Sequence, residues 1–313
     1  MMDCYPKTYA VRHKKDEVLK KSRSGGVFTA LSDYVLSKNG RVYGVIVDEK
    51  MNVIHVGTSS TNIRDKMRGS KYVQSNLNNC FKKIKKDLTA GTLVLFTGTP
   101  CQVTGLKKFL NREYDNLISI DIVCHGVPSP LVWRKYVEWQ QNKNHKKIKS
   151  IDFRNKLKYG WRAHYETLYF DKKSVDSFVY KTLFCKHYAI RPSCFKCPFK
   201  SIERHSDITI ADYWGIENIS QQYNDNKGVS LVMLNNEKGD NIFNLINKDI
   251  EKIKTKIEDS IQPAMKENYN IPNDYDEFWN DIHKISFDKI VHKYCDYTFK
   301  NRIKFKIKSI LKK

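Results

Sequence analysis

The eight cysteines of this 313-residue chain divide, by their neighbours, into thiols set for chemistry and thiols set for packing. Cys194 and Cys197 form a C-x-x-C step closed by Pro198, within Arg191-Pro192-Ser193-Cys194-Phe195-Lys196-Cys197-Pro198, a spacing that lets two thiolates reach one metal centre. Cys101 and Cys124 each follow an apolar run. Leu93-Val94-Leu95-Phe96 leads into Thr97-Gly98-Thr99-Pro100-Cys101, and Ile118 to Val123 leads into Cys124-His125-Gly126. Read as parallel strands, these runs put both thiols at strand carboxyl ends, where open α/β sheets bind ligands. Four such thiolates suit a Cys4 iron-sulfur site. Spacing alone leaves a structural zinc open at the same step, with Cys185 and His187 completing the set Cys-x-His…Cys-x-x-Cys. Cys80, on a helix expected from Leu77 to Leu88, and Cys295 read as small buried hydrophobes.

These thiols are expected to stay reduced. No apolar run reaches the ~18 residues needed to span a bilayer, and the amino terminus, with Lys7, Arg12, Lys14 and Lys15, has no apolar export core. A cytoplasmic location is therefore expected, where free thiols favour metal ligation over cystines. The formal net charge of +22, from 56 Lys and Arg against 34 Asp and Glu, attracts anions. The lysines are nevertheless spread along the chain on helix faces, as at Lys82, Lys83, Lys85 and Lys86, without a recognisable nucleic-acid module. They read as solvated surface rather than a nucleic-acid interface, and the same charge would serve an acidic redox partner or anionic lipid.

The elements that must position the thiols read as an α/β fold, with α+β as its alternative: a mixed-sheet core with helices over residues 1–145 and a smaller carboxyl-terminal part over 146–313. A content of 40% hydrophobic residues supports a proper core. Ser24 is a plausible N-cap for a helix over 24–39, opened by Gly25-Gly26 and stopped at Asn39-Gly40. Residues 42–47 and 53–56 read as a hairpin. Two strand-helix units follow: a strand over 92–97 with a helix from Gln102 to Leu110, and a strand over 117–123 with a helix from Pro130 to Gln141. The basic stretch Asn142 to Lys147 marks the boundary. Beyond it come strands at 151–153, 165–170, 208–211 and 229–234, with a helix from Val179 to His187. After Glu237 helices and turns are expected, ending in a basic tail with Phe299, Ile303, Ile307, Ile310 and Leu311 on one helical face. That tail, residues 299–313, suits peripheral contact with anionic membrane, against the alternatives of a helix packed on the core or an edge strand.

Six blocks, taken together, resemble one family. They are Ser24-Gly25-Gly26-Val27-Phe28, Arg68-Gly69-Ser70-Lys71-Tyr72-Val73-Gln74-Ser75, Thr97-Gly98-Thr99-Pro100-Cys101-Gln102, Asp121 to Pro130 around Cys124-His125-Gly126, the Cys194 step, and Ser206 to Gly215 around Asp212-Tyr213-Trp214. Their order and spacing, over about residues 8–217, resemble the beta-subunit family of coenzyme F-420 (deazaflavin) hydrogenases and dehydrogenases. The resemblance implies an FAD and 4Fe-4S oxidoreductase that passes electrons between one-electron clusters and a hydride acceptor or donor. Carried over by motif, the cluster ligands would be Cys101, Cys124, Cys194 and Cys197. The flavin would lie against Ser24, Gly25 and Gly26, the loop Arg68, Gly69, Ser70, Lys71, Tyr72 and Gln74, and the turn Thr97, Gly98, Thr99 and Gln102.

The residues themselves agree with that placement. Gly25-Gly26 at a helix start lets backbone N–H groups approach a diphosphate at the positive end of the helix dipole. Arg68, Lys71 and Tyr72 offer two cations and an aromatic face. Asp212-Tyr213-Trp214 reads as strand-end packing. Many relatives carry a ferredoxin-like segment with two C-x-x-C-x-x-C-x-x-x-C runs ahead of this region, whereas here only Cys4 precedes the Ser24 block. Electrons are then expected from a separate ferredoxin-like carrier, with a small-molecule redox substrate at the other end. Two other functions fit the same residues: a non-catalytic electron-transfer subunit, and, because some short relatives accompany surface-polysaccharide synthesis, a protein of that pathway with a structural zinc.

Overall fold

The computed structural model describes residues 5–310. Its strands are β1 Lys7–His13, β2 Arg41–Val47, β3 Val53–Thr58, β4 Val94–Gly98, β5 Leu117–Ile122, β6 Ser150–Asp152, β7 Glu166–Tyr169, β8 Ser174–Ser177, β9 Ile208–Asp212, β10 Ser230–Leu234 and β11 Ile250–Thr255. Eight of them form one mixed sheet in the order β11-β1-β10-β9-β5-β4-β2-β3, and β6, β7 and β8 form a small second sheet. Strands β2, β4, β5 and β9 are parallel, and both β9 and β1 run antiparallel to β10. The carboxyl ends of β1, β9, β5, β4 and β2 therefore share one sheet edge, and the fold is mixed α/β as the sequence implies.

The central strands are buried on both faces, which is why Val-Leu-Phe-Thr-Gly in β4 and Leu-Ile-Ser-Ile-Asp-Ile in β5 read as near-continuous apolar runs. Leu95 and Ile118 pack with Val27, Leu31 and Val35 of the helix Val27–Ser37. Their strand neighbours Val94, Phe96 and Leu117 turn the other way, onto the helices Cys80–Thr89 and Pro100–Leu110. Each fully buried leucine or phenylalanine here contributes about 1.5–3 kcal/mol. Cys80 and Cys295 are buried among apolar side chains, as expected of small hydrophobes. A second, aromatic core joins the small sheet to the helices Pro130–Asn144, Tyr275–Lys284 and Phe287–Tyr294, around Trp133, Tyr136, Tyr180 and Phe278.

Strands from both sides of residue 145 share the large sheet, β1 to β5 before it and β9 to β11 after it. Several expectations are corrected. Strand β1 was hidden in the basic amino-terminal region. Strand β11, Ile-Glu-Lys-Ile-Lys-Thr, lies where only helices and turns were expected; it is a sheet edge whose charged residues face solvent. The first long helix starts at Val27 with Gly26 as its cap at φ 89°, so Ser24 is not the cap. The tail is a helix, Phe299–Ile310, rather than an edge strand. Of the apolar face expected there, Leu311 lies outside the described residues.

Candidate functional site

Two adjacent strand ends start the site. Strand β4 ends at Gly98 and β5 at Ile122, and they are neighbours in register, so Cys101 and Cys124 leave the sheet side by side. Cys101 sits in the first turn of the helix Pro100–Leu110, entered through a capping box between Thr99 and Gln102. Thr99 Oγ1 lies 3.1 Å from its sulfur.

The C-x-x-C step reaches these thiols through backbone pairing. Pro128 bridges to Ile190, Ser129 N donates to Ala189 O at 2.8 Å and Arg191 N to Val127 O at 3.1 Å. The loop after Cys124 is thereby zipped to the chain entering Cys194. Gly126 permits this closeness, with φ at +143° and a virtual Cβ 3.0 Å from Ile190 and 3.6 Å from Cys194. Burial pushes the Cys124 thiol up to about 12. It accepts from the Gly126 N–H, and its charge neighbours are Cys101, Cys194 and Cys197. Burial also raises Cys194, whose sulfur accepts from the Val127 N–H and has Cys197 and Cys101 as charge neighbours. The four sequence-picked thiols thus share one neighbourhood. Among the described residues no three His, Cys, Asp or Glu side chains converge tightly enough, as they stand, for a single metal ion.

Cys185 lies elsewhere. It lines a small cavity with Tyr72, Phe153, Arg154, His164, Glu166 and Phe184, while His187 pairs Nε2 to Nε2 with His125 at 2.9 Å. The set Cys185, His187, Cys194 and Cys197 is therefore divided between two environments. Phe184 stands between them, its ring 4.8 Å from His125 and 5.1 Å from Tyr72.

On the other side of Tyr72 is a buried cationic cluster. Asp212, at the end of β9, accepts from Ser24 Oγ, from Trp161 Nε1 at 3.0 Å and from Arg154 Nη1 at 2.6 Å. Burial opposes its charge, yet Arg154 and Arg23 hold its carboxyl below the usual range. Burial pulls Arg23 down to about 10, with Arg154 adding like-charge repulsion. Lys156 falls to about 7 through burial and then through Arg23, although its ammonium donates to the carbonyls of Leu19, Ser24 and Lys227. Lys71 is half-buried, its ammonium donating to the carbonyls of Lys66 at 2.8 Å and Arg68 at 2.9 Å, and burial also pulls it down to about 7, opposed by Asp152. With both lysines protonated, Arg23, Arg154, Lys71 and Lys156 against Asp152 and Asp212 leave two positive charges in excess, the charge complement of a diphosphate.

The remaining sequence-picked residues connect the two regions. Tyr72 takes a hydrogen bond on its hydroxyl from Arg154 Nη1 at 3.2 Å. Gln74 N donates to Pro128 O at 2.9 Å, and Gln102 Nε2 to Ser75 Oγ at 3.0 Å, so the loop 68–76 spans from cations to thiols. Arg68 is tied down by Asp65 at 2.9 Å and by Thr29 at 3.1 Å; Gly69 and Ser70 are exposed. Thr97 Oγ1 donates to Tyr43 O, and Gly98 is buried beside Asp121. Gly25 is corrected in its role: its N–H donates to Ser230 Oγ at 2.9 Å and its carbonyl accepts from His13 N at 2.7 Å. It is a packing glycine, since a Cβ would meet Val11 O at 2.0 Å and Ser230 N at 2.7 Å. Asp212, read as strand-end packing, is instead the hub of the cationic cluster. Arg23, Arg154 and Lys156 were missed altogether; the one available signal was that Arg23 directly precedes the Ser24 block.

Comparison with known proteins supplies the family. Residues 8–82 match the model of the coenzyme F420 hydrogenase/dehydrogenase beta subunit amino-terminal region, and residues 91–260 that of its carboxyl-terminal region. The fold is similar to a chain of the F420-reducing [NiFe] hydrogenase complex from Methanosarcina barkeri, solved as a xenon derivative. The TM-score is 0.55 at 18% identity, over 91% of this chain and 90% of that one.

Proposed function

This chain belongs to the coenzyme F420 hydrogenase/dehydrogenase beta-subunit family, a family of redox subunits, and we propose that it is an iron-sulfur flavoprotein oxidoreductase holding a 4Fe-4S cluster and FAD. The observation that carries the reading is the shared neighbourhood of Cys101, Cys124, Cys194 and Cys197 around the half-buried Cys124. The donor set fits a cubane: four free thiols, two of them already accepting backbone N–H bonds from Gly126 and Val127, the kind of bond that tunes cluster potentials. The excess charge around Asp212 fits the diphosphate of FAD, with Lys71, Lys156, Arg23 and Arg154 as its holders. When bound, these groups supply one-electron storage and hydride chemistry.

The chain's own residues position and insulate. Tyr72 and Phe184 wall the cavity on one face, and Phe184 packs on His125, the chain neighbour of Cys124. Arg154, held by Asp212, fixes the Tyr72 hydroxyl. Electrons enter from a separate iron-sulfur protein and leave to a small-molecule redox substrate, or travel the reverse way. Iron, acid-labile sulfide and flavin analysis of anaerobically purified protein tests the reading, and turnover with an added small acceptor separates an enzyme from a passive electron-transfer subunit.

The tail adds a surface reading. Phe305 packs on Tyr165 and Phe178 at ring distances of 5.0 and 5.1 Å, while Phe299, Ile303 and Ile307 stay 76%, 41% and 50% exposed. Lys300, Arg302, Lys304 and Lys306 are exposed around that stripe. An apolar stripe flanked by cations fits an anionic lipid surface. Among the described residues no helix is long and apolar enough to cross a membrane.

A further inference from the structure

The loop that follows Cys197 carries a buried ammonium with no acceptor. Lys200 Nζ is shielded from solvent and has no hydrogen-bond partner, which is costly for a cation unless an anion compensates it. Its position is fixed by the ring of Tyr269, whose centroid lies 3.5 Å away. Tyr269 in turn packs on His125 at 4.1 Å and on His187 at 4.6 Å, so the ammonium is seated on the aromatic group adjoining Cys124. Burial pulls the Lys200 ammonium down, and the neighbouring charges that oppose this are those of Cys124, Cys197 and Cys194, with Glu267 after them. Arg204, the next cation along the loop, has Asp121 4.0 Å away; Lys200 has the thiols instead.

We propose that Lys200 is the counter-cation of the cluster site, holding the negative charge of the ligated thiolates and raising the reduction potential of the cluster they bind. This rests on the cluster reading above and adds to it a named charge. A cubane with a 2+ core on four thiolates carries a net charge of about −2 and gains one more negative charge on reduction. A fixed cation beside it stabilises the reduced state more than the oxidised one, and the effect is large where water is excluded. Lys200 is a positioning residue in this scheme: it donates no proton and touches no substrate.

The test is an EPR-monitored redox titration of the full-length chain, reconstituted anaerobically with iron and sulfide, compared with K200M, K200Q and K200R. The expected result is a lower midpoint potential in K200M and K200Q, with K200R close to the unchanged chain. Loss of the cluster from both neutral variants, with K200R loaded and far-UV circular dichroism native in all, also supports the counter-cation role. Equal potentials in all four chains, or loss of the cluster from K200R as well, overturns it. If the unchanged chain takes up no cluster, the cluster reading itself fails, an outcome distinct from a failure of the Lys200 assignment.

Discussion

Binding of FAD should take up protons, because two of the cations assigned to its diphosphate are held near neutrality in the flavin-free chain. Lys71 and Lys156 lie at about 7, against an ordinary lysine near 10.5. The charged groups facing Lys156 are Arg23 and Arg12, with Asp212 and Asp225 opposing, and Asp152 faces Lys71. A diphosphate adds two negative charges and returns both ammonium groups toward their ordinary range. In the free chain each lysine is about half protonated at pH 7 and about one-tenth protonated at pH 8, so affinity should fall about 5-fold per lysine over that interval, roughly 30-fold for the pair. Calorimetry in buffers of different ionisation enthalpy should read about one proton taken up per FAD at pH 7 and nearly two at pH 8. The stability sign is opposite. Both lysines bind protons more tightly when unfolded, so the flavin-free chain should gain stability as pH rises from about 7 toward 10. K71M should halve the uptake. An affinity that is flat from pH 6 to 8, with no buffer dependence of the binding enthalpy, refutes the assignment of these lysines.

Other expectations follow from single contacts. Gly25→Ala should destabilise the fold by about 3 kcal/mol in chemical denaturation, at the upper end for overpacking, since its Cβ would enter the backbone between β1 and β10; near-native stability would mean that the strands yield there at little cost. Lys71→Glu should lower flavin occupancy with far-UV circular dichroism unchanged, because it reverses one charge of the anion site. Cys124→Ser should lose iron and sulfide, and full retention would remove it from the ligand set. Co-sedimentation with anionic vesicles should be weaker for a chain ending at Tyr297 than for the full chain, and high salt should abolish the difference; equal binding leaves the tail as packing held by Phe305.

What the sequence could show depended on how far apart the partners lie. The four thiols were legible because β4 and β5 announce themselves by apolar runs and because C-x-x-C is a local spacing. Tyr72 and Lys71 came with a recognisable block. Arg154 was not legible: its meaning comes from Asp212, 58 residues further on, and from Tyr72, 82 residues back. The same holds for Lys156, which reaches the carbonyls of Leu19, Ser24 and Lys227. Gly25 was misread for a physical reason. A glycine before a helix invites a phosphate reading, but here β1 and β10 press on both of its backbone groups. Strand β11 escaped because an edge strand with lysines on its solvent side has the same alternation as a polar surface segment.

The central claim is that four cysteines from distant parts of the chain hold one iron-sulfur cluster beside a flavin. Metal, acid-labile sulfide and flavin content of the anaerobically purified full-length protein tests it most directly. About four iron and four sulfide per chain are expected, with bound FAD. One equivalent of zinc, no sulfide and no flavin after anaerobic reconstitution would contradict it.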